Sequence, residues 1–85
     1  MMSTDSLVTL MERFVSGQDR SLAIAGEIEV GLEQVFADEE PFADLALALA
    51  SYRPGGGEYL YDEQRIARLM MHVIAEIAAR RTAAR

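Results

Sequence analysis

Apolar residues recur along most of the chain three or four positions apart, which is helical spacing, and the places where the recurrence fails divide it into four segments. In the first, Leu7, Leu10, Met11, Phe14 and Val15 form one stripe, with Ser3, Thr4 or Asp5 ahead of it as a helix cap and Gly17 at its end. In the second, Asp19 or Ser21 precedes a stripe of Ile24, Ile28, Leu32, Val35 and Phe36 that runs to Ala37. Gly26 and Gly31 fall inside this segment, where each costs about 1 kcal/mol relative to alanine. Close helix contact or a kink accounts for such glycines, and crowding against a neighbour is the more ordinary of the two.

The third segment opens on Asp38-Glu39-Glu40-Pro41, which places acids beside the positive end of a helix and proline in its first turn, where a missing N–H does no harm. Its stripe is Phe42, Leu45, Ala46, Leu49 and Ala50, but Leu47 and Ala48 lie off it, so the segment is apolar over more than half its circumference. That suits either the central helix of a bundle or half of a dimer interface. Arg53-Pro54 stops the segment and Gly55, Gly56 and Gly57 prevent an immediate restart, so the glycine run reads as a flexible connection. Tyr59, Leu60 and Tyr61 alternate, which in an extended segment turns Leu60 inward and both rings outward. Asp62 caps a last helix striped by Ile66, Leu69, Met70, Val73, Ile74 and Ile77, with Arg80, Arg81 and Arg85 at its negative end. The pattern predicts an all-α, small antiparallel four-helix bundle, a single domain over residues 1–85 with helices at about 4–16, 20–37, 39–52 and 63–81.

At 85 residues a single core buries only about 60% of the surface of the unfolded chain. With no cysteine, neither a disulfide nor a thiolate metal site is available, and a reducing cytoplasm is compatible. The Phe42–Tyr52 run is too short to span a bilayer and no basic-then-apolar signal opens the chain, so the expectation is a soluble, cytoplasmic protein without a membrane partner.

Charge sharpens the picture. Fourteen acids stand against eight basic residues, all arginine, and Ser21 to Tyr52 holds none of the latter. Glu27, Glu29, Glu33, Asp38, Glu39, Glu40 and Asp44 all fall in that window. Such a surface repels phosphate and speeds encounter with a basic partner, which argues against direct nucleic-acid binding. It is equally what a solvated acidic face looks like when it serves only solubility.

Candidate chemistry is sparse. His72 and Glu76 share one helical face, but two ligands do not make a metal site, so neither a metal nor another cofactor is expected. The glycine run follows a helix and lacks the Gly-Lys-Ser/Thr of a phosphate loop. Ser3, Ser6, Ser16, Ser21 and Ser51 read as caps or helix ends, and the carboxylates sit on polar faces where nothing desolvates them. No enzyme activity is expected. What remains is a surface: tyrosines near a loop make interface anchors with few rotamers to freeze. The competing reading is that Tyr52 and one of Tyr59 or Tyr61 pack over the end of the bundle.

In layout the chain resembles the family of small bacterial colicin-like immunity domains, of the colicin D immunity type. The shared features are a short first helix ending near Phe14 and Gly17, a long second helix, and a third that leaves through Tyr52-Arg53-Pro54. A polar loop then leads to the acidic pair Asp62-Glu63 before the last amphipathic helix. The resemblance implies a four-helix inhibitor that covers the basic active site of a cognate tRNA-cleaving toxin nuclease with acids standing where substrate phosphates would. Carried onto this chain, the partner-binding acids are those between Glu33 and Asp44, namely Glu33, Asp38, Glu39, Glu40 and Asp44, together with Glu58 and Asp62 of the loop. Tyr59 and Tyr61 complete the expected contact surface. The alternative is a homodimeric scaffold or regulatory binding module that buries the apolar third helix against a second copy.

Overall fold

The computed structural model describes residues 2–58 and 60–83 and contains four helices: α1 (Thr4–Val15), α2 (Leu22–Val35), α3 (Phe42–Ala50) and α4 (Glu63–Ala83). They form an all-α four-helix bundle in which α1 packs on α2 and α4, and α3 packs on the same two helices. Contacts between ends define how the helices run. Met2 N–H, ahead of α1, donates to Gln34 near the end of α2, Tyr52 after α3 reaches Arg20 before α2, and Arg80 and Arg81 of α4 meet Glu39 and Asp5.

Local chemistry sets most boundaries. The Ser3 hydroxyl accepts from Ser6 N–H at 3.1 Å and that of Ser21 accepts from Ile24 N–H at 3.3 Å, so both helices start at a side-chain cap. Asp19 accepts from Ser21 N–H at 3.0 Å, and this backbone bond holds its carboxyl below the usual aspartate value. Gly17, at φ 86°, turns the chain out of α1. Arg20 then folds back and donates to the carbonyls of Phe14 and Val15, both at 2.7 Å, joining Gly17 N–H at the first of these helix-end acceptors.

α3 is shorter than the expected 39–52 at both ends. Asp38 adopts a left-handed φ of 57° and Pro41 occupies the cap position with no side-chain bond, so regular helix begins at Phe42. At the other end Tyr52 and Arg53 are drawn into backbone pairing with Tyr61: Tyr61 N–H donates to the Ser51 carbonyl at 2.9 Å, and Arg53 N–H donates to the Tyr61 carbonyl at 3.0 Å. The connection between them is hydrogen-bonded rather than loose. Gly55 N–H donates to the Glu63 carboxylate at 2.9 Å and Gly56 N–H to the Arg53 carbonyl at 2.8 Å, while φ of 86° and 76° at these two positions require glycine.

The core follows the expected stripes in outline, with Leu10, Val15, Val35, Phe36, Leu69 and Ile74 only half-buried and Ala25 and Ala67 added to it. On α3, Ala48 is buried with Phe42, Leu45 and Leu49, whereas Ala50 is exposed. The helix is rotated toward α4 because it must cover α4 as well as α2. Leu60 does not turn into the core; it lies over Gly57, where an added Cβ would sit 3.0 Å from Leu60 Cδ1, and Tyr61 packs against the core instead. The two glycines of α2 have different reasons: a Cβ at Gly31 would meet Met2 Sδ at 2.6 Å and Leu7 Cδ1 at 3.0 Å, but Gly26 has open space around it. Crowding explains Gly31 alone. No helix among the described residues is long and apolar enough to cross a membrane.

Candidate protein-binding site

α2 and α3 meet along a line of buried residues and leave a groove of about 250 Å3 on the outside. Its floor is apolar: Leu32 and Phe36 from α2, with Phe42, Ala43, Ala46 and Ala50 from α3, and Leu47 as one wall. Glu29, Glu33 and Asp38 line the same groove. Leu47 is 74% exposed, a large apolar side chain presented to solvent at the centre of α3. The floor is held in place by a stack of Phe36 on Phe42, whose rings lie 3.8 Å apart and within 7° of parallel.

The outer face of α2 exposes further apolar side chains outside this groove, and Gly26 and Val30 border a separate depression with Met2, Glu27 and Gln34. Leu22, Gly26 and Val30 follow at four-residue spacing, with Leu22 56% and Val30 51% exposed, and Gly26 leaves a shallow gap between them. Leu22, Val30 and Leu47 are three of the four large apolar side chains exposed among the described residues, and all three fall in the stretch that has no arginine. The sequence placed the acids and marked Leu47 as lying off the stripe of its helix, but Leu22 and Val30 were missed. Their signal was present, because both lie off the buried stripe of α2 yet on a common face.

The expected contact residues divide into two groups at opposite ends of α3. Glu33, Asp38, Glu40 and Asp44 are exposed where α2 hands over to α3, and of these Glu33 and Asp38 line the groove. Glu58, Tyr61 and Asp62 belong to the loop beyond the other end, some 14 Å away by the length of a nine-residue helix. Tyr59 lies outside the described residues. Within the groups several side chains already have intramolecular work. Glu39 pairs with Arg80 at 3.2 Å, turning toward α4 instead of the groove. The Asp62 carboxylate accepts from Arg65 N–H at 2.9 Å, the capping role expected of it. Tyr61 is half-buried beneath the guanidinium of Arg65, 4.6 Å from its ring. Tyr52 is fully integrated: buried, edge-on to Phe14 with centroids 5.3 Å apart, and donating its hydroxyl to the Arg20 carbonyl.

Arg80 organises the acid end of the bundle. It donates to Glu76 at 2.9 Å and to Glu39, and its charge lies 4.8 Å from the centre of the Phe42 ring. The bond to Glu76, reinforced by Glu39, raises its already high pKa, so it remains a cation throughout. This commitment also decides the fate of the His72–Glu76 pair: Glu76 serves Arg80, His72 is exposed, and no group of three or more metal-ligating side chains occurs among the described residues. The arrangement offers an apolar trough with a carboxylate rim, suited to a partner that presents apolar side chains flanked by arginine or lysine. Comparison with protein-family models, curated proteins and solved structures finds no match to this chain.

Proposed function

We propose that this protein is a non-catalytic binding module whose α2–α3 face docks on a basic protein, acting as an immunity-type inhibitor that occludes the active site of a toxin nuclease. The observation that carries the reading is exposed Leu47 in one groove with Glu29, Glu33 and Asp38, on a stretch without a single cation that also exposes Leu22 and Val30. Acids alone would serve solubility. Apolar side chains left exposed among them give a partner something to bury, and the acids select a basic one and speed its encounter. A nuclease active site is basic because it holds phosphates, which makes it a fitting complement.

The exposure of Leu47, with Ala43, Ala46 and Ala50 on the same side of α3, also favours the second reading, a homodimer through this helix. Charge weighs against it, since two copies would bring their carboxylate rims together and like charges juxtaposed across an interface cost several kcal/mol.

The test is affinity capture from the native host followed by a nuclease assay on the purified companion, with light scattering on the protein alone. The expected result is a basic polypeptide whose RNA cleavage is abolished at one equivalent. Glu33→Lys with Asp38→Lys then slows association and flattens its salt dependence, and Leu47→Glu speeds dissociation. A companion whose nuclease activity is untouched by excess protein overturns the inhibitor reading. A self-dimer dissociated by Leu47→Glu replaces it with the scaffold reading.

A further inference from the structure

α4 carries a charged face of the opposite sign, unrelated to the acidic groove. Arg65, Arg68 and His72 follow at spacings of three and four residues, which brings them to one side of the helix, where all three are exposed. Together with Tyr61 and Leu69 they line a cleft of about 290 Å3. None of the five is acidic, on a chain with a net charge of −6.

Two features distinguish this cleft from an ordinary solvated face. Arg65 and Arg68 lie in the first two turns of α4, at the positive end of the helix dipole, where cations are disfavoured. Asp62 and Glu63 stand at the same helix end, yet neither forms an ion pair with Arg65 or Arg68: among the described residues the ion pairs are made by Arg80 and Arg81. One wall is also built in advance. Tyr61 is fixed by backbone bonds to Ser51 and Arg53, and its ring holds the Arg65 guanidinium 4.6 Å from its centre.

We infer that this cleft binds a compact dianion of the phosphate-monoester class. A guanidinium donates two parallel N–H bonds to phosphate oxygens, and two arginines match the charge of one dianion. The Tyr61 hydroxyl and the His72 ring supply further donors, while Leu69 and the tyrosine ring offer apolar surface to the carbon skeleton of an ester. A polynucleotide is disfavoured: its extended charge would meet the field of the whole acidic protein, whereas a small dianion within a Debye length of about 8 Å responds to the local arginines. The inference is independent of the proposed function, because the groove and the cleft share no residue.

The test is a heteronuclear NMR titration of the full chain with inorganic phosphate, phosphoserine and a nucleoside 5′-monophosphate, each against chloride at matched ionic strength. Saturable shifts confined to residues around Tyr61, Arg65, Arg68 and His72 are expected. The double variant Arg65→Gln/Arg68→Gln weakens binding at least about tenfold, and Arg13→Gln, a cation on α1 outside the cleft, leaves it unchanged. Equal affinity for all three ligands identifies a phosphate site, and preference for either ester identifies its organic group as part of the ligand. Absence of saturable shifts with all three, or shifts of wild-type affinity in the double variant, overturns the inference. The shift map is measured on the wild-type chain, so it tests the cleft even if the double variant folds poorly.

Discussion

Tyr52 ties three elements together, and its removal in two steps separates a hydrogen bond from a packed ring. The side chain closes α3, meets Phe14 of α1 edge-on with planes at 70°, and donates its hydroxyl to the carbonyl of Arg20 just before α2. Tyr52→Phe keeps the ring and deletes the bond, leaving the Arg20 carbonyl short of a partner. A net loss of about 1–2 kcal/mol follows, and in a chain of this size each kcal/mol lowers Tm by about 4–8 °C. Tyr52→Ala also removes a ring that is only 5% exposed, a loss of about 3–5 kcal/mol. Total stability for 85 residues is about 4–13 kcal/mol, so the second variant sits near or beyond the limit of folding. The hydroxyl has a pH signature of its own. Burial, aided by Glu63, raises its pKa above the ordinary 10.0, so its contribution is complete below pH 10 and disappears as pH rises through the folded-state value. Urea melts followed by circular dichroism at neutral pH and through the alkaline range measure both effects. The advantage of wild type over Tyr52→Phe should shrink above pH 10. Equal stability of the two at neutral pH, or an advantage that grows with pH, would refute the assigned bond.

Two further outcomes are expected. Gly26→Ala, at an exposed helical position with open space, should stabilise the chain by about 1 kcal/mol, whereas Gly31→Ala must displace Met2 and press on buried Leu7 and should gain clearly less; equal gains in urea melts would show that the close approach of α1 to α2 is not as described. The Glu63 carboxyl is held below its usual 4.5, first by the Gly55 N–H and then by its own backbone N–H, so its contribution is present above pH 4.5 and is lost as pH falls through the folded-state value. Acid titration of Glu63→Gln should therefore show a shallower loss of stability than wild type, and an unchanged acid limb would exclude the loop-closing bond.

The helices, their order and most of the core were legible because local rules govern them: Ser3 and Ser21 cap, Gly17 terminates, and the stripes of α1, α2 and α4 name most of the buried residues, though not Ala25, Gly31 or Ala67. The extra reach of α3 was not excluded by its sequence, since Asp38-Glu39-Glu40-Pro41 satisfies the rules for a helix start; in the structure Pro41 is the cap and residues 39–41 precede the regular helix. The acids of the candidate face were legible in the same way, as composition. Their availability was not. Glu33 and Asp38 face the groove while Glu39 turns to Arg80, forty-one residues along the chain, and no local pattern distinguishes the three.

By itself the sequence determined that this chain forms four amphipathic helices and that Ser21 to Tyr52 carries acids and no arginine, because periodicity and charge are properties of near neighbours. Only the tertiary structure decided which apolar residues remain outside. Leu22, Val30 and Leu47 are as hydrophobic as the residues of the core, but a helix in a ring of four can turn its surface to two neighbours and no more. The side chains beyond that arc are left for a partner to cover, and which ones they are depends on rotations fixed by contacts distant in sequence.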